Sequence, residues 1–79
     1  MARSAYLEGD LALLVESQAA REFLVQRTED GERWQLSVRR GLKWVPVRSK
    51  RESPRTWASL DTLERFARGI GITALTIEL

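Results

Sequence analysis

The segment EFLVQRTEDGERWQLSVRR, residues 22–40, constrains the fold of this chain more than any other. Asp30-Gly31 suits a type I′ turn, in which both central residues take positive φ. A two-residue loop there sets three pairs opposite each other: Phe23 with Val38, Val25 with Leu36, and Arg27 with Trp34. The apolar members then share one face, whereas a slip of one residue would set Phe23 and Val25 opposite polar side chains. The segment therefore predicts an antiparallel hairpin with one buried face.

The turn that follows is compatible with two geometries. Gly41 comes after two arginines, which favours a type I turn closed by a left-handed glycine bulge, and Trp44 then faces the core. A two-residue loop would invert the third strand, with Trp44 outward and Val45 and Val47 inward. We expect Trp44 to face inward, because a two-residue primed turn would force an arginine to positive φ. Pro46 has no amide proton, which predicts that this strand is an edge or is interrupted.

Two helices and a last strand complete the predicted fold. The segment DLALLVESQAA, residues 10–20, has Asp10 as a cap and carries an apolar stripe. Ser59 caps a second helix over residues 60–70, whose first turn is acidic, as the helix dipole favours. Alternation in residues 74–79 predicts a final strand. It pairs either in parallel with the third strand, through a right-handed crossover, or with its copy in a second chain.

These elements predict an α+β fold in the order α-β-β-β-α-β, with a small, mainly antiparallel sheet. Helix 60–70 and the N-terminal helix pack on one face of that sheet. A chain of 79 residues hides only about 60 to 65% of its unfolded surface, which supports a single core. We therefore expect one domain, residues 1–79, with residues 1–9 as a candidate disordered segment.

The sequence contains no cysteine and no histidine. It therefore has no disulfide, no thiolate or imidazole metal ligand, and no Ser-His or Cys-His nucleophile pair. The acidic turn of Glu29, Asp30 and Glu32 lacks the spacing of a calcium loop and is interpreted as solvated. We predict a protein that is not an enzyme and needs no metal or cofactor. Without disulfides, packing or a partner chain must hold so small a domain, which favours a homodimer through strand 74–79.

Positive charge is concentrated in residues 39–55. This segment carries seven basic residues and one acidic residue, whereas the rest of the chain carries six basic and ten acidic. Such a segment is typical of a surface that binds phosphates, carboxylates or an acidic partner. We predict nucleic-acid binding through seven residues, which we call the basic rim: Arg39, Arg40, Lys43, Arg48, Lys50, Arg51 and Arg55. The alternative is a solvated loop whose arginines only cover apolar edges.

The exposed sheet face offers a second way to contact nucleic acid. Gln26, Gln35, Ser37 and Arg39 would enter the major groove or contact single-stranded bases, and an outward Trp44 would serve as a stacking platform. The three tryptophans are more typical of the core in so small a domain. No helix-turn-helix, zinc finger or other named DNA-binding signature is visible.

The pattern SKRESPRTWASLDTLERFARGIGITALTIEL, residues 49–79, resembles the small ParC-like partition-associated proteins encoded on bacterial plasmids, and the resemblance covers roughly the C-terminal two thirds of the chain. The residues that carry the resemblance are Arg55, Trp57, Ser59, Leu60, Asp61, Leu63, Phe66, Gly71, Ile72, Leu75 and Ile77. The resemblance implies a non-enzymatic accessory of plasmid maintenance. It identifies no binding residues to carry over.

We therefore expect an accessory protein of plasmid or mobile-element maintenance that binds DNA or a DNA-bound partner through the basic rim. The rival hypothesis is a protein interaction or dimerisation adaptor without nucleic-acid contact. It would use the last strand or an outer sheet face on which Leu24, Val45 and Val47 leave an apolar patch. No apolar run approaches the roughly 20 residues needed to cross a bilayer, and the start MARSAYLEGD lacks a signal peptide's apolar region. We expect a cytoplasmic protein without membrane contact.

Overall fold

The computed structural model describes residues 5–79 and confirms the α+β fold class. The elements within these residues are β1 (Tyr6–Leu7), α1 (Glu8–Glu16), β2 (Phe23–Arg27), β3 (Trp34–Arg40), β4 (Lys43–Arg48), β5 (Thr56–Trp57), α2 (Leu60–Gly69) and β6 (Thr76–Glu78). The predicted order is retained, with the two-residue strands β1 and β5 added. Of the expected disordered segment, residues 6–9 form β1 and the start of α1, and residues 1–4 lie outside the described residues.

The strands form one mixed sheet in the order β1-β4-β3-β2-β6, with β5 paired to β3 beyond the end of β4. The hairpins are antiparallel, whereas β1 runs parallel to β4 and β6 runs parallel to β2. The expected pairing of the last strand with the third strand is therefore wrong. The outer edge of β4 is taken by β1 at Val47 and Arg48, so β6 adds to the edge that β2 offers.

The register of the first hairpin is confirmed, although its turn differs from the prediction. The three predicted pairs of β2 and β3 are all present. Gly31 has φ +76°, but Asp30 does not take positive φ, so the turn is not type I′. The Gly31 amide donates to the Thr28 carbonyl at 2.8 Å, and the Thr28 amide donates to the Arg33 carbonyl at 2.9 Å. The loop thus has four residues, centred where the two-residue loop was expected, which leaves the register unchanged.

The second hairpin closes through the two-residue loop Gly41-Leu42, so the prediction that Trp44 faces the core is wrong. Trp44 lies opposite Arg39 in the register. Gly41 has φ +63° at the first central position, where a type II′ turn requires glycine. No arginine occupies a central position, which removes the objection to a two-residue loop. Val47 is instead fully buried among the core residues.

Both helices pack on the same face of the sheet, as predicted. Helix α1 contributes the fully buried Leu11, and α2 contributes Leu63 and Ala67. Their partners on the sheet are the inward side chains of the long strands and of β5: Phe23, Val25, Trp34, Leu36, Val38, Val47 and Trp57. The opposite face of the sheet has no helix of the described residues against it.

The helix ends agree with the prediction only for α2. Ser59 caps α2, because its hydroxyl accepts a hydrogen bond from the Thr62 amide at 3.2 Å. Helix α1 begins at Glu8, which places Asp10 in the first turn instead of at the cap. It ends before residue 20, because Gln18 adopts φ +63° and turns the chain toward β2. Neither helix is long and apolar enough to span a membrane.

Candidate binding surface

The sheet face turned away from the two helices has no helix of residues 5–79 against it, and we call it the open face. Because successive side chains of a strand alternate, burial of Val47 among the core residues turns Trp44, Pro46 and Arg48 to this face. Neighbouring strands add the residues that lie beside them in the register. The open face comprises Leu24, Gln26, Gln35, Ser37, Arg39, Trp44, Pro46, Arg48, Thr56, Thr76 and Glu78, of which Leu24 and Ser37 are buried beneath their neighbours.

The fold divides the basic rim among four places, because adjacent residues of a strand point to opposite faces. The seven residues are distributed as follows: Arg39 and Arg48 on the open face, Arg40 and Lys43 on the helix side of the sheet, Lys50 and Arg51 in the loop after β4, and Arg55 between α1 and α2. The seven basic-rim residues therefore do not lie on one surface.

Arg39 lies on the open face in a solvent-exposed ion pair. Its Nη1 is 3.4 Å from Glu22 Oε1, and its Nε donates to the Gly41 carbonyl at 3.1 Å. Exposed pairs of this kind contribute only about 0 to 1 kcal/mol. A phosphate can therefore replace the Glu22 carboxylate at little cost.

Arg40 and Lys43 lie beside α1, where they face a groove of about 740 Å³ between that helix and the β3–β4 hairpin. The Arg40 Nη1 donates to the Tyr6 hydroxyl at 3.0 Å, and its guanidinium carbon is 5.8 Å from the Tyr6 ring centre. Leu14 and Val45 line the same groove. These two cations are therefore separated from the open face by the thickness of the sheet.

The loop of residues 49–55 exposes Lys50 and Arg51 on a backbone held by hydrogen bonds. The Ser49 amide donates to the Glu52 carbonyl, and the Arg55 amide donates to the Val47 carbonyl, both at 2.8 Å. The Ser49 hydroxyl also accepts from the Arg51 amide at 3.2 Å and the Glu52 amide at 2.9 Å. The loop therefore presents two cations from a tight turn directly after Arg48.

The charge of Arg55 is engaged in contacts within the domain. Its guanidinium forms an ion pair with Glu8 and lies 4.5 Å from the Trp57 ring centre and 5.0 Å from the Phe66 ring centre. It thus connects the start of α1 to β5 and α2. Among the basic-rim residues it is the one least able to contact a phosphate.

Replacement of Arg55 by Ala should therefore lower stability more than binding. We expect a loss of about 1–3 kcal/mol in the free energy of unfolding, because a charge-assisted hydrogen bond and two cation–π contacts disappear. Urea unfolding measures it. Arg65→Ala, an exposed change on α2, is the control and should leave the midpoint almost unchanged. An unchanged midpoint in Arg55→Ala, together with a large loss of nucleic-acid affinity, would make Arg55 a binding residue.

The acidic turn between β2 and β3 is stabilised by hydrogen bonds to its own side chains. Asp30 Oδ1 accepts hydrogen bonds from the Thr28 hydroxyl at 2.5 Å and from the Glu32 amide at 3.0 Å. These bonds favour the ionised carboxylate and hold the pKa of Asp30 below its ordinary value. Residues 5–79 contain no group of three acidic side chains placed to hold a metal ion. Asp30 therefore stabilises the turn through these hydrogen bonds.

One anchored cation beside the open face, Arg33, was not predicted from the sequence. Arg33 donates from Nε to the Thr56 hydroxyl at 2.6 Å and from Nη2 to the Thr56 carbonyl at 3.1 Å, which ties β5 to the first hairpin. No sequence signal identifies this contact, since β5 has only two residues and no periodicity. The outward Trp44 was signalled by the position of Gly41 at the start of a possible II′ turn.

Comparison of the chain with protein-family models, with curated proteins and with solved structures finds no match.

Proposed function

We propose that this protein is a non-enzymatic accessory factor that binds nucleic acid. The observation that carries the proposal is the cluster of Arg48, Lys50 and Arg51, which we call the basic cluster. Its members follow one another at the end of β4, and none has a carboxylate at ion-pair distance among residues 5–79. A setting in plasmid or mobile-element maintenance, and with it a cytoplasmic location, rests on the resemblance of residues 49–79.

Unpaired surface cations of this kind favour a polyanion over a single carboxylate. Each phosphate contact releases condensed counterions from the nucleic acid, and this release supplies most of the affinity of non-specific binding. Arg39 adds a fourth cation on the open face, held only by its exposed pair with Glu22. Binding to about four phosphates accounts for the charge pattern without any catalytic group.

A titration at two ionic strengths tests the proposal. With four contacts, affinity for a fluorescein-labelled oligonucleotide should fall roughly a hundredfold between about 50 and 200 mM salt. Fluorescence anisotropy on a single strand and on its duplex measures this fall. The proposal is contradicted if no binding occurs at the lower salt concentration, or if the affinity does not change with salt concentration.

A protein adaptor is the second candidate, and the exposed strand β6 favours it. Ile77 and Leu79 are 45% and 97% exposed, and β6 has no neighbour on its outer edge within the described residues. Such an edge can pair with a second copy of the chain. Val45 and Val47 face the helix side, so the apolar patch expected on the outer face with Leu24 is not formed as predicted. Sedimentation equilibrium distinguishes the candidates, because dimerisation through β6 should persist at high salt.

A further inference from the structure

We infer that the open face binds single-stranded nucleic acid, with one base stacked on Trp44 and the neighbouring phosphates held by Arg39 and Arg48. This inference rests on the proposed function and specifies the class of nucleic acid. Its basis is the juxtaposition of an exposed aromatic ring with cations on the open face.

Trp44 differs from the other two tryptophans in its exposure. Trp34 and Trp57 are 7% and 4% exposed and belong to the core, whereas Trp44 is 43% exposed on a face without a helix. A tryptophan placed this way supplies a flat apolar ring. Every nucleobase has a π-face that stacks on such a ring, so the contact does not depend on sequence.

Two cations lie near Trp44 on the open face, one beside it and one further along its strand. Arg39 is directly opposite Trp44 on β3, where paired Cα atoms are about 4.5–5.5 Å apart. Arg48 is four residues further along β4, or about 14 Å at 3.4 Å per residue. Pro46 lies between Trp44 and Arg48 and extends the apolar surface. A base stacked on Trp44 would therefore have a cation beside it and a second cation further along β4.

The other side of the open face disfavours phosphate. Glu78 lies on β6, where it accepts a hydrogen bond from the Gln26 amide at 2.7 Å. This carboxylate places negative charge on the β2–β6 side, whereas Glu22, just before β2, is paired with Arg39. A bound strand is therefore steered along β4 and toward the loop that carries Lys50 and Arg51.

The width of the sheet favours a single strand over a duplex. Strands β4, β3, β2 and β6 lie side by side, and at about 4.8 Å per neighbour the backbones of β4 and β6 are about 14 Å apart. The major groove of B-DNA is about 12 Å wide and admits an α-helix or a two-stranded ribbon. A paired base must also leave its stack before it can reach Trp44. A duplex can meet the cations only through its backbone.

The test compares Trp44→Ala with Trp44→Phe on fluorescein-labelled oligothymidylate and on its duplex with oligoadenylate. Trp44→Ala should weaken binding of the single strand roughly 5- to 150-fold, the range for loss of one stacked base. It should leave duplex affinity unchanged. Trp44→Phe should keep most of the single-strand affinity because it keeps an aromatic face. Leu42→Ala is the matched control, since it removes another exposed apolar side chain from the same hairpin.

Intrinsic fluorescence gives a second readout. Oligothymidylate should quench the tryptophan emission of the wild-type protein but not that of Trp44→Phe, in which the remaining tryptophans are buried. Equal affinity for both nucleic acids, with no effect of Trp44→Ala, overturns the inference and leaves the proposed function intact. Failure of the wild-type protein to bind either nucleic acid overturns both.

Discussion

Leu36→Ala is expected to lower the free energy of unfolding by about 2–5 kcal/mol, the range for removing a buried leucine side chain. Leu36 is fully buried in the central strand β3, opposite the equally buried Val25. At about 0.05–0.15 kcal/mol per residue, a domain of this length has a total stability of about 4–12 kcal/mol. The substitution therefore removes a substantial fraction of the stability.

Urea unfolding followed by tryptophan fluorescence measures the loss, because Trp34 and Trp57 belong to the core. Leu42→Ala makes the same chemical change at a side chain that is 95% exposed, and it should alter stability by less than about 0.5 kcal/mol. Similar midpoints for the two variants would contradict the assignment of the helix-covered face as the core.

The distribution of apolar residues in segment 22–40 was sufficient to predict the register of the first hairpin. Phe23 and Val25 lie opposite apolar residues of the next strand, Val38 and Leu36, in only one register, whatever the turn type. Two-residue and four-residue loops centred on the same point give the same register. The register was therefore predictable even though the type I′ turn at Asp30 was not correct.

The local sequence did not determine the turn type of the second hairpin, because Gly41 is compatible with both the bulged type I turn and the two-residue loop. Either loop gives an alternating strand, and the two choices differ only in which side chains are buried. Burial of Val47 beneath α1 and the pairing of β1 with β4 favour the two-residue loop, and both contacts come from distant parts of the chain. The partner of β6 is likewise set by which sheet edge remains open. Short strands such as β1 and β5 have too few residues to show a period.

The sequence predicted where the positive charge is concentrated in the chain, but of the basic-rim residues it placed only Arg39 on a face of the sheet. Arg39 and Arg40 are adjacent in the chain, yet the alternation of a strand sends them to opposite sides of the sheet. The outward direction of Arg39 follows from the register of the first hairpin, whereas the directions of Lys43 and Arg48 depend on the second turn, which the sequence left undecided. The partner of Arg55, Glu8, is 47 residues away and gives no local signal.

The triple substitution Arg48→Ala, Lys50→Ala and Arg51→Ala is expected to weaken nucleic-acid binding about a hundredfold or more. Counterion release contributes about 0.7 to 0.9 log units of affinity per phosphate contact at 0.1 M salt relative to 1 M, and three contacts are removed. The slope of log affinity against log salt should become shallower by about 2 to 3. Anisotropy titrations across a salt series measure both quantities on one sample.

A charge-matched variant separates contact from net charge. Arg21→Ala, Arg65→Ala and Arg68→Ala together also take the formal net charge from +2 to −1, but these arginines lie outside the open face and the loop of residues 49–55. If nucleic-acid binding depends on contacts at the basic cluster, this variant should keep most of its affinity. Its slope of log affinity against log salt should stay close to that of the wild-type protein. Equal losses in the two triple variants would mean that long-range charge alone attracts the nucleic acid, and the basic cluster would then have no special role.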